Sequence, residues 1–538
     1  MFRSIITLLA TLLLGTAAFA QDKTAEIDKI FSWATPATPG CSVAVSLHGK
    51  VVVNRAYGSA DLERDVPITP TTIFDAGSLT KQFVSATVLL LVEEGRLSLS
   101  DDVRKYIPEL PDYGKKITLD HLLTHTSGIR DWTGMLPLTD GKTDALTLIL
   151  RQRGLNFAPG EEWSYSNSGY VLLKEVVART SGMPFADFAR KRLFEPLGMK
   201  STSYVTDMRE IVKNRALAYE KEDGRWKMAM LLDNDRGGGG LLSTAGDLLI
   251  WNDALTNGRL GAFVSAKIQE PTTLNNGRKI GYARGLYVDS TRGSRMVGHT
   301  GSAAGYKSFL ARFPEQGLST AIMCNSGEGT DRMSFAHRIF DLYAPAAAEP
   351  KGDAEAPAAM AGVDVNGKAG LFFNERTGEP LRLGVNDGKL RIAGGPPLVA
   401  VAADRFRNPR PSLELLSGDE FELHFLSQDQ FEVKSMEGQI TRYRRAQRYA
   451  PTADDLNKFA GRYESDEIGA VFQIVPGKDG LVMRFDRSPE KAVEMKPADR
   501  DTFQRGMMMV RFRRDESGNV VAFDYSNPLL RNVKFTRR

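Results

Sequence analysis

The pattern of hydrophobic and polar positions predicts two regions of different secondary structure. As far as about Tyr343, strand-like runs such as Ser42–Ser46 and Val51–Ala56 are interspersed with helical runs such as Val84–Glu94, which is apolar on most faces. Beyond this point short strand-like runs follow one another, separated by Gly, Asn and Asp turns. We therefore predict a mixed α/β region followed by an all-β region.

The all-β region follows a linker and contains an internal repeat. Residues 346–362 are small, Pro-rich and without periodicity, which is typical of an interdomain linker. After it, Ala369–Phe372 recurs as Ala460–Tyr463, and the ending Ile440–Arg445 recurs as Val533–Arg538. Each copy is about ninety residues long, and two copies of this length favour two small β-barrels over a solenoid. The predicted domains are 21–345 for the α/β region, then 363–448 and 449–538 for the barrels.

The N-terminal residues have the pattern of an export signal. Arg3 precedes the apolar run Ile5–Leu14, and the small-residue end Ala18-Phe19-Ala20 follows. This arrangement is typical of a secretory signal peptide, residues 1–20, cleaved after Ala20. A membrane anchor is disfavoured because the strongly apolar run falls short of the ~20 residues that span a bilayer. We expect a periplasmic or secreted protein without a membrane span after cleavage.

Composition excludes nucleic acid as a partner and leaves the state of the cysteines open. The 70 basic and 66 acidic residues are dispersed along the chain, with a net charge of +4 and no long basic run. Cys41 and Cys324 each fall in a predicted strand, and in an oxidising compartment they either pair or remain buried thiols. The lack of a C-x-x-C motif argues against zinc or thioredoxin-type chemistry.

The stretch Ala76–Phe83 contains a serine and a lysine at a spacing suited to nucleophilic catalysis. Ser78 begins the predicted buried helix, so Lys81, three positions later, lies on the same face within reach of the serine hydroxyl. Burial and the positive end of the helix dipole both lower the pKa of such a lysine towards a value useful for a general base. One local motif thus supplies a nucleophile and its base.

Two further motifs follow in order. Tyr165 and Asn167 form a Y-x-N motif in a polar loop, where a phenol can relay a proton and a carboxamide can hold a substrate amide. Gly298–Ser302 then reads Gly-His-Thr-Gly-Ser. A second S-x-x-K begins at Ser488, which we interpret as part of a turn, and a second Y-x-N begins at Tyr525. No copy of the third motif follows them. The ordered triplet therefore carries more weight than any single motif.

In this order, S-x-x-K, Y-x-N and a K-T-G-like strand resemble the serine β-lactamase and penicillin-binding-protein superfamily. The stretches Leu122–Gly128 and Gly239–Leu248 are similar to its class C and esterase branch. The resemblance implies an α/β catalytic domain of the β-lactamase/transpeptidase type, followed here by two small all-β barrel domains. Its antiparallel sheet would combine a first hairpin, formed by Ser42–Ser46 and Val51–Ala56, with the strands of His299–Cys324. Helices and a mainly helical insert that holds Tyr165 would flank this sheet.

The resemblance also implies roles for the motif residues. Ser78 attacks the carbonyl, Lys81 and Tyr165 share the proton transfers, and the backbone N–H groups of Ser78 and Ser302 hold the oxyanion. No metal or other cofactor is required. The implied catalytic residues are Ser78, Lys81, Tyr165 and His299, and the implied substrate-binding residues are Asn167, Thr300, Gly301 and Ser302.

His299 stands where many β-lactamases and carboxypeptidases of the superfamily have lysine. A lysine is a permanent cation that attracts a substrate carboxylate, whereas an unperturbed histidine, with a pKa of about 6.5, is mostly neutral at pH 7. This difference favours esters, or peptides recognised at their amino end, over penicillins. Serine D-aminopeptidases of the superfamily are similar in their His-x-Gly motif and their two C-terminal β-barrels.

We therefore expect an exported serine hydrolase that acts through an acyl-enzyme on amide or ester bonds, with D-amino-acid-containing peptides or small esters as favoured substrates. The alternatives are a β-lactamase or D,D-peptidase and, from another class, a slow-deacylating penicillin-binding sensor or cell-wall-binding protein. The expected partner is a small molecule or short peptide, with peptidoglycan fragments as a further candidate. A zinc site at His121 and His125, four apart on a short predicted helix, is disfavoured because no third ligand motif accompanies them.

Overall fold

The computed structural model describes residues 22–139, 141–207, 209–230, 239–291, 293–344, 360, 362–393, 395–408, 421–435, 440–486 and 488–538. The predicted signal peptide and most of the predicted linker lie outside these residues. Within the described ranges, no helix is long and apolar enough to cross a membrane.

The elements of the N-terminal region alternate between helices and strands. The helices are α1 Thr24–Ile30, α2 Thr80–Glu93, α3 Leu119–Leu123, α4 Trp132–Met135, α5 Ala145–Arg151, α6 Asn167–Ser181, α7 Phe185–Ala189, α8 Glu195–Leu197, α9 Ala245–Thr256, α10 Ala262–Lys267 and α11 Arg332–Tyr343. The strands are β1 Cys41–Leu47, β2 Lys50–Tyr57, β3 Ser59–Asp61, β4 Val66–Pro67, β5 Phe74–Asp75, β6 Ser203–Tyr204, β7 Tyr219–Glu222, β8 Arg225–Met228, β9 Leu241–Ser243, β10 Thr272–Thr273, β11 Lys279–Ile280, β12 Tyr287–Thr291, β13 Ser294–Ala303, β14 Tyr306–Phe313 and β15 Leu318–Cys324.

An antiparallel sheet forms the centre of this region. Its described strands follow the order β12-β13-β14-β15-β1-β2, so the predicted first hairpin pairs directly with β15. Helices cover both faces: Ala44 of β1 packs in one cluster with residues of α2 and α9, and Val43 packs in another with residues of α1 and α11. Because both faces are covered, β15 is buried along its whole length. The predicted sheet flanked by helices is confirmed.

Strand register decides the state of the two cysteines. Cys41 lies directly opposite Cys324 in the antiparallel pair of β1 and β15. The two residues form a disulfide, so of the two states left open by the sequence the structure has the paired one.

Two glycines allow strand β13 to approach the turn that carries Ser78. A 3-10 turn, Gly77–Leu79, precedes α2, and Gly77 has a φ of +55°. A Cβ atom on Gly77 would lie 2.6 Å from the backbone nitrogen of Ser302, and one on Gly301 would lie 2.1 Å from the carbonyl oxygen of Ala76. A side chain at either position would therefore push the strand away from the turn.

Beyond the N-terminal region the described strands form two β-barrels. The strands of the first are β16 Gly370–Asn374, β17 Pro380–Asn386, β18 Lys389–Ile392, β19 Val399–Ala400, β20 Arg405–Arg407, β21 Phe421–Phe425, β22 Gln430–Ser435 and β23 Ile440–Arg445. Helix α12, Ala453–Phe459, precedes the second, which comprises β24 Gly461–Ser465, β25 Ala470–Pro476, β26 Leu481–Phe485, β27 Ser488–Asp499, β28 Thr502–Arg505, β29 Met508–Arg514, β30 Val520–Asn527 and β31 Leu530–Arg537.

The two barrels differ in closure. The first is an eight-stranded sheet with β18 and β19 at its edges, and the second closes because β24 pairs with β31. The two predicted all-β barrels are confirmed, whereas their exact boundaries stay predictions. The interpretation of Ser488 as a turn is wrong, because Ser488 begins β27 and pairs with Phe485 next to a register shift.

The second barrel packs on the helical insert of the catalytic region. Their buried side chains form one hydrophobic cluster, which includes Trp132 and Leu148 of the insert and Ile468 and Leu530 of the barrel. Burial of apolar surface of this kind is the main favourable contribution to such an interface. The second barrel and the catalytic region therefore share one core.

Candidate active site

Ser78 and Lys81 meet at the start of helix α2, as their spacing predicts. Ser78 is partly exposed in the 3-10 turn, whereas Lys81 is fully buried in the first turn of the helix. Lys81 Nζ donates a hydrogen bond to Ser78 Oγ at 3.3 Å and a second to Asn167 Oδ1 at 2.8 Å. Burial lowers the pKa of Lys81 to about 7, and attraction by the Asp131 carboxylate opposes this effect. A neutral amine is thus available beside the serine near neutral pH.

Tyr165 covers the other side of the lysine. The Lys81 Nζ lies 4.7 Å from the centroid of the Tyr165 ring. Burial raises the pKa of Tyr165 well above its usual value of 10.0, and the hydrogen bond with the Ser78 side chain opposes this only in part. The phenol therefore keeps its proton at neutral pH, so it is suited to donating or relaying a proton rather than to acting as a phenolate base.

Asn167 is held by an aspartate that the sequence motifs did not single out. The Asp131 Oδ2 accepts hydrogen bonds from the Asn167 backbone nitrogen at 2.8 Å and from Asn167 Nδ2 at 2.9 Å. Because the amide nitrogen is held in this way, the Asn167 Oδ1 faces the Lys81 amine. Asp131 is buried and also accepts from the backbone nitrogen of Thr133 at the start of α4. Asp131 therefore sets the orientation of the Asn167 carboxamide.

His299 belongs to a chain of four hydrogen bonds. Its Nδ1 lies 2.6 Å from the Thr300 carbonyl oxygen, and its Nε2 lies 3.0 Å from the Tyr282 hydroxyl. The same hydroxyl lies 3.1 Å from His125 Nε2, and the Ser166 backbone nitrogen donates to His125 Nδ1 at 3.1 Å. The chain thus links β13 to the loop that holds Tyr165.

The groups at the two ends of this series of hydrogen bonds determine where its protons lie. A carbonyl only accepts, so the proton of His299 is on Nδ1, and its Nε2 accepts from the Tyr282 hydroxyl. A backbone N–H only donates, so the proton of His125 is on Nε2 and is given to the Tyr282 oxygen. Every donor has one acceptor when both imidazoles are neutral.

Both histidines are neutral for electrostatic reasons as well. Burial and the nearby Lys81 lower the pKa of His299 to about 3. Burial lowers the pKa of His125 well below its usual value of 6.5, and Lys81 and His299 lower it further. His299 therefore presents no positive charge to a substrate, and both of its ring nitrogens are engaged in hydrogen bonds.

The rest of the third motif lies beside the Ser78 turn. Thr300 is partly exposed and Gly301 is buried against Ala76, as described above. Ser302 is exposed, and its Oγ accepts a hydrogen bond from Arg332 Nη2 at 3.4 Å. Its backbone nitrogen lies next to Gly77 and hence next to the turn that carries Ser78. The structure therefore brings all eight predicted residues into one region.

The geometry corrects one expectation about the histidines of the insert. Helix α3 ends at Leu123, so His125 lies beyond it, with a φ of +59°, and does not share a helical face with His121. The His121 Nδ1 accepts from the Thr118 backbone nitrogen as part of a helix cap. Among the described residues, no three His, Cys, Asp or Glu side chains are grouped so as to hold a metal ion.

A beta-lactamase family model matches residues 27–344, which is more than half of the chain. The chain belongs to the beta-lactamase family. Relatives include a D-aminopeptidase of Brucella anthropi, 25% identical over 528 residues that cover 93% of this chain and 95% of the relative. A penicillin-binding protein of Bacillus subtilis (strain 168) is 30% identical over 312 residues, covering 53% of this chain and 67% of the relative. The resemblance stated from the motifs is confirmed, and this beta-lactamase family member is a serine hydrolase.

Solved structures agree with this fold. The octameric penicillin-binding protein homologue from Pyrococcus abyssi has a TM-score of 0.54 and 23% identity, and covers 78% of this chain and 99% of that protein. The D-amino acid amidase from Ochrobactrum anthropi SV3, complexed with D-phenylalanine, has a TM-score of 0.52 and 24% identity, and covers 60% of this chain and 99% of that protein. At these identities the likeness shows a shared fold.

Proposed function

We propose that this serine hydrolase cleaves the amide bond that follows an amino-terminal D-amino acid, through an acyl-enzyme on Ser78. The observation that carries the proposal is the Lys81 amine, buried and hydrogen-bonded to Ser78 Oγ at 3.3 Å. Similarity to D-aminopeptidases over 93% of the chain, barrels included, supports the substrate class. The Cys41–Cys324 disulfide supports an oxidising compartment and therefore export to the periplasm or medium.

In the acylation step, the Ser78 hydroxyl loses its proton to the neutral Lys81 amine as Oγ attacks the carbonyl carbon. The backbone N–H groups of Ser78 and Ser302 stabilise the oxyanion that forms. The proton then passes from Lys81, through the Tyr165 hydroxyl, to the leaving nitrogen as the carbon–nitrogen bond breaks. Asn167 holds the lysine in place during this transfer.

In deacylation the same groups act in reverse order. A water molecule gives a proton to Lys81 and attacks the ester carbonyl, and the proton returns to Ser78 Oγ as the acyl–enzyme bond breaks. The proton count is then restored without an external acid or base. No step requires a metal ion.

The neutral His299 supports recognition of the amino end rather than a carboxylate. A lysine at this position would attract a carboxylate near the scissile bond. The buried, hydrogen-bonded imidazole of His299 supplies no such charge. We therefore place His299 in a positioning role beside the catalytic groups, and Thr300 and Gly301 along the bound substrate.

The test compares four substrates: D-alanine p-nitroanilide, L-alanine p-nitroanilide, p-nitrophenyl acetate and nitrocefin. We expect kcat/KM for the D-anilide to exceed that for the L-anilide by roughly tenfold or more. Ser78→Ala should abolish turnover, whereas Ser488→Ala, the matched variant in the second S-x-x-K copy, should retain it. Equal rates for both enantiomers, or turnover of nitrocefin alone, would contradict the substrate assignment.

A further inference from the structure

The turn between β30 and β31 of the second barrel reaches the catalytic region next to Asp131. The Leu529 carbonyl oxygen accepts hydrogen bonds from the Asp131 backbone nitrogen at 3.4 Å and from Asn156 Nδ2 at 3.0 Å. The Asn156 Oδ1 in turn accepts from the Arg531 backbone nitrogen at 2.8 Å. The barrel therefore contacts the backbone of the residue that orients Asn167.

A buried ion pair and two hydrogen bonds from Arg130 hold the barrel at the start of β31, next to this turn. Arg130 Nη1 donates to Glu467 Oε2 at 2.6 Å, and their side chains are only 5% and 10% exposed. Arg130 also donates from Nε to the Arg531 carbonyl at 3.1 Å and from Nη2 to the Asn532 carbonyl at 2.9 Å. One guanidinium group thus binds a carboxylate and two carbonyls of the second barrel.

Arg130 is connected to the active site through the next residue, Asp131. The Ser168 hydroxyl donates to the Arg130 carbonyl at 2.8 Å and accepts from the Trp132 backbone nitrogen at 2.9 Å, so it holds the chain on both sides of Asp131. The Asp131 carboxylate then orients Asn167, as described above. Hydrogen bonds, together with the peptide link between Arg130 and Asp131, therefore connect Glu467 of the barrel to Lys81.

We propose that the second barrel is part of the catalytic unit, because its Glu467 and β30–β31 turn hold Arg130 and Asp131 in the position that orients Asn167 and Lys81. Arg130 and Glu467 are positioning residues, since neither touches the reacting atoms. This inference rests on the proposed acyl-enzyme function. It assigns the barrel a role in the rate of reaction that a passive cover of the catalytic region would not have.

The test is the rate at which a fluorophosphonate labels Ser78 in the full chain, measured across pH for Glu467→Gln. A misplacement of about 1 Å in a catalytic group costs on the order of a hundredfold, so we expect labelling to slow by roughly tenfold to a hundredfold. The matched control is Glu464→Gln, which removes an exposed ion pair with Arg538 on the same barrel, with side chains 58% and 38% exposed for Arg538 and Glu464. This control should label like the wild type.

The pH profile separates positioning from a merely structural role. Asp131 raises the pKa of Lys81, while Lys174 lowers it. When Asp131 loses its fixed position, its attraction for the Lys81 ammonium weakens, so the acidic limb of the profile should move to lower pH. A slower rate with an unmoved limb, or a wild-type rate, would overturn the inference.

A second variant covers the case in which Glu467→Gln does not fold. Asn156→Ala removes the side chain that links Leu529 and Arg531 and leaves no buried charge unpaired. It should slow labelling and move the acidic limb in the same direction, and a wild-type profile in this variant would overturn the inference. Failure of the wild type itself to label at Ser78 would instead overturn the proposed function.

Discussion

The buried amine of Lys81 should lower the stability of the folded protein, and Lys81→Met should remove this cost with a characteristic pH dependence. The pKa of Lys81 falls from 10.5 to about 7 on burial. Each unit of this difference corresponds to about 1.4 kcal/mol, so the cost at pH 7 is roughly 4 kcal/mol. This cost falls as the pH rises, because between pH 7 and 10.5 the unfolded lysine is charged while the folded one is largely neutral.

Because the unfolded state binds more protons in this range, the stability of the wild type rises with pH. Lys81→Met lacks this dependence. The advantage of the variant should therefore shrink from roughly 4 kcal/mol at pH 7 to roughly 2 kcal/mol at pH 9. Loss of the hydrogen bond to Asn167 shifts the variant by an amount that depends little on pH, so the slope is the diagnostic quantity.

Urea unfolding followed by tryptophan fluorescence measures this slope in the catalytic region. All five tryptophans lie between Trp33 and Trp251, so every fluorophore belongs to the catalytic region, although Trp132 packs against the second barrel. Ser78→Ala serves as the control, since it abolishes acylation but retains the amine and should keep the wild-type pH dependence. A constant difference between Lys81→Met and wild type from pH 7 to pH 9 would refute the lowered pKa of Lys81.

Three further changes test other parts of the site. Tyr282→Phe removes the hydroxyl between the two buried histidines and leaves the His299 Nε2 acceptor and the His125 Nε2 donor unpaired, so kcat/KM should fall roughly tenfold while the fold is retained, as judged by circular dichroism. Asp131→Asn removes a charge that raises the pKa of Lys81, so the acidic limb of the kcat/KM profile should move to lower pH. The double variant Cys41→Ala/Cys324→Ala should lose roughly 2–5 kcal/mol of stability in urea unfolding, and thiol labelling of the unreduced wild type should find no free cysteine.

The contacts predicted best from the sequence are those set by local geometry. The three-residue spacing of Ser78 and Lys81 on one helix was enough to predict that they meet, because helical periodicity alone determines this distance. The two neighbouring strand-like runs, Ser42–Ser46 and Val51–Ala56, likewise predicted the first hairpin, because only a short turn separates them. The approach of Tyr165 and His299 followed from the order of the motifs and the resemblance they carry, rather than from any spacing.

The contacts missed from the sequence are set by tertiary packing. Tyr282 lies outside every motif, and only the folding of the chain brings its hydroxyl between His125 and His299. The interpretation of His121 and His125 as helical neighbours failed because the left-handed backbone at His125 ends the helical periodicity. The sequence carries one signal for Asp131, which closely follows the motif that ends at Gly128.

Local sequence patterns also could not predict how strands that are far apart in sequence pair with each other. The register of β1 against β15 decides that Cys41 faces Cys324, and a shift of one residue would send the two side chains to opposite faces. Closure of the second barrel likewise depends on the pairing of its first and last strands, β24 and β31, which are far apart in sequence.

The most direct test of the central claim is to map the site of covalent labelling. The wild type is treated with a fluorophosphonate at pH 8, digested, and analysed by tandem mass spectrometry beside Ser78→Ala and Ser488→Ala. We predict a single adduct on Ser78 in the wild type and in Ser488→Ala, and none in Ser78→Ala. An adduct on another residue, or one that persists in Ser78→Ala, would contradict Ser78 as the nucleophile.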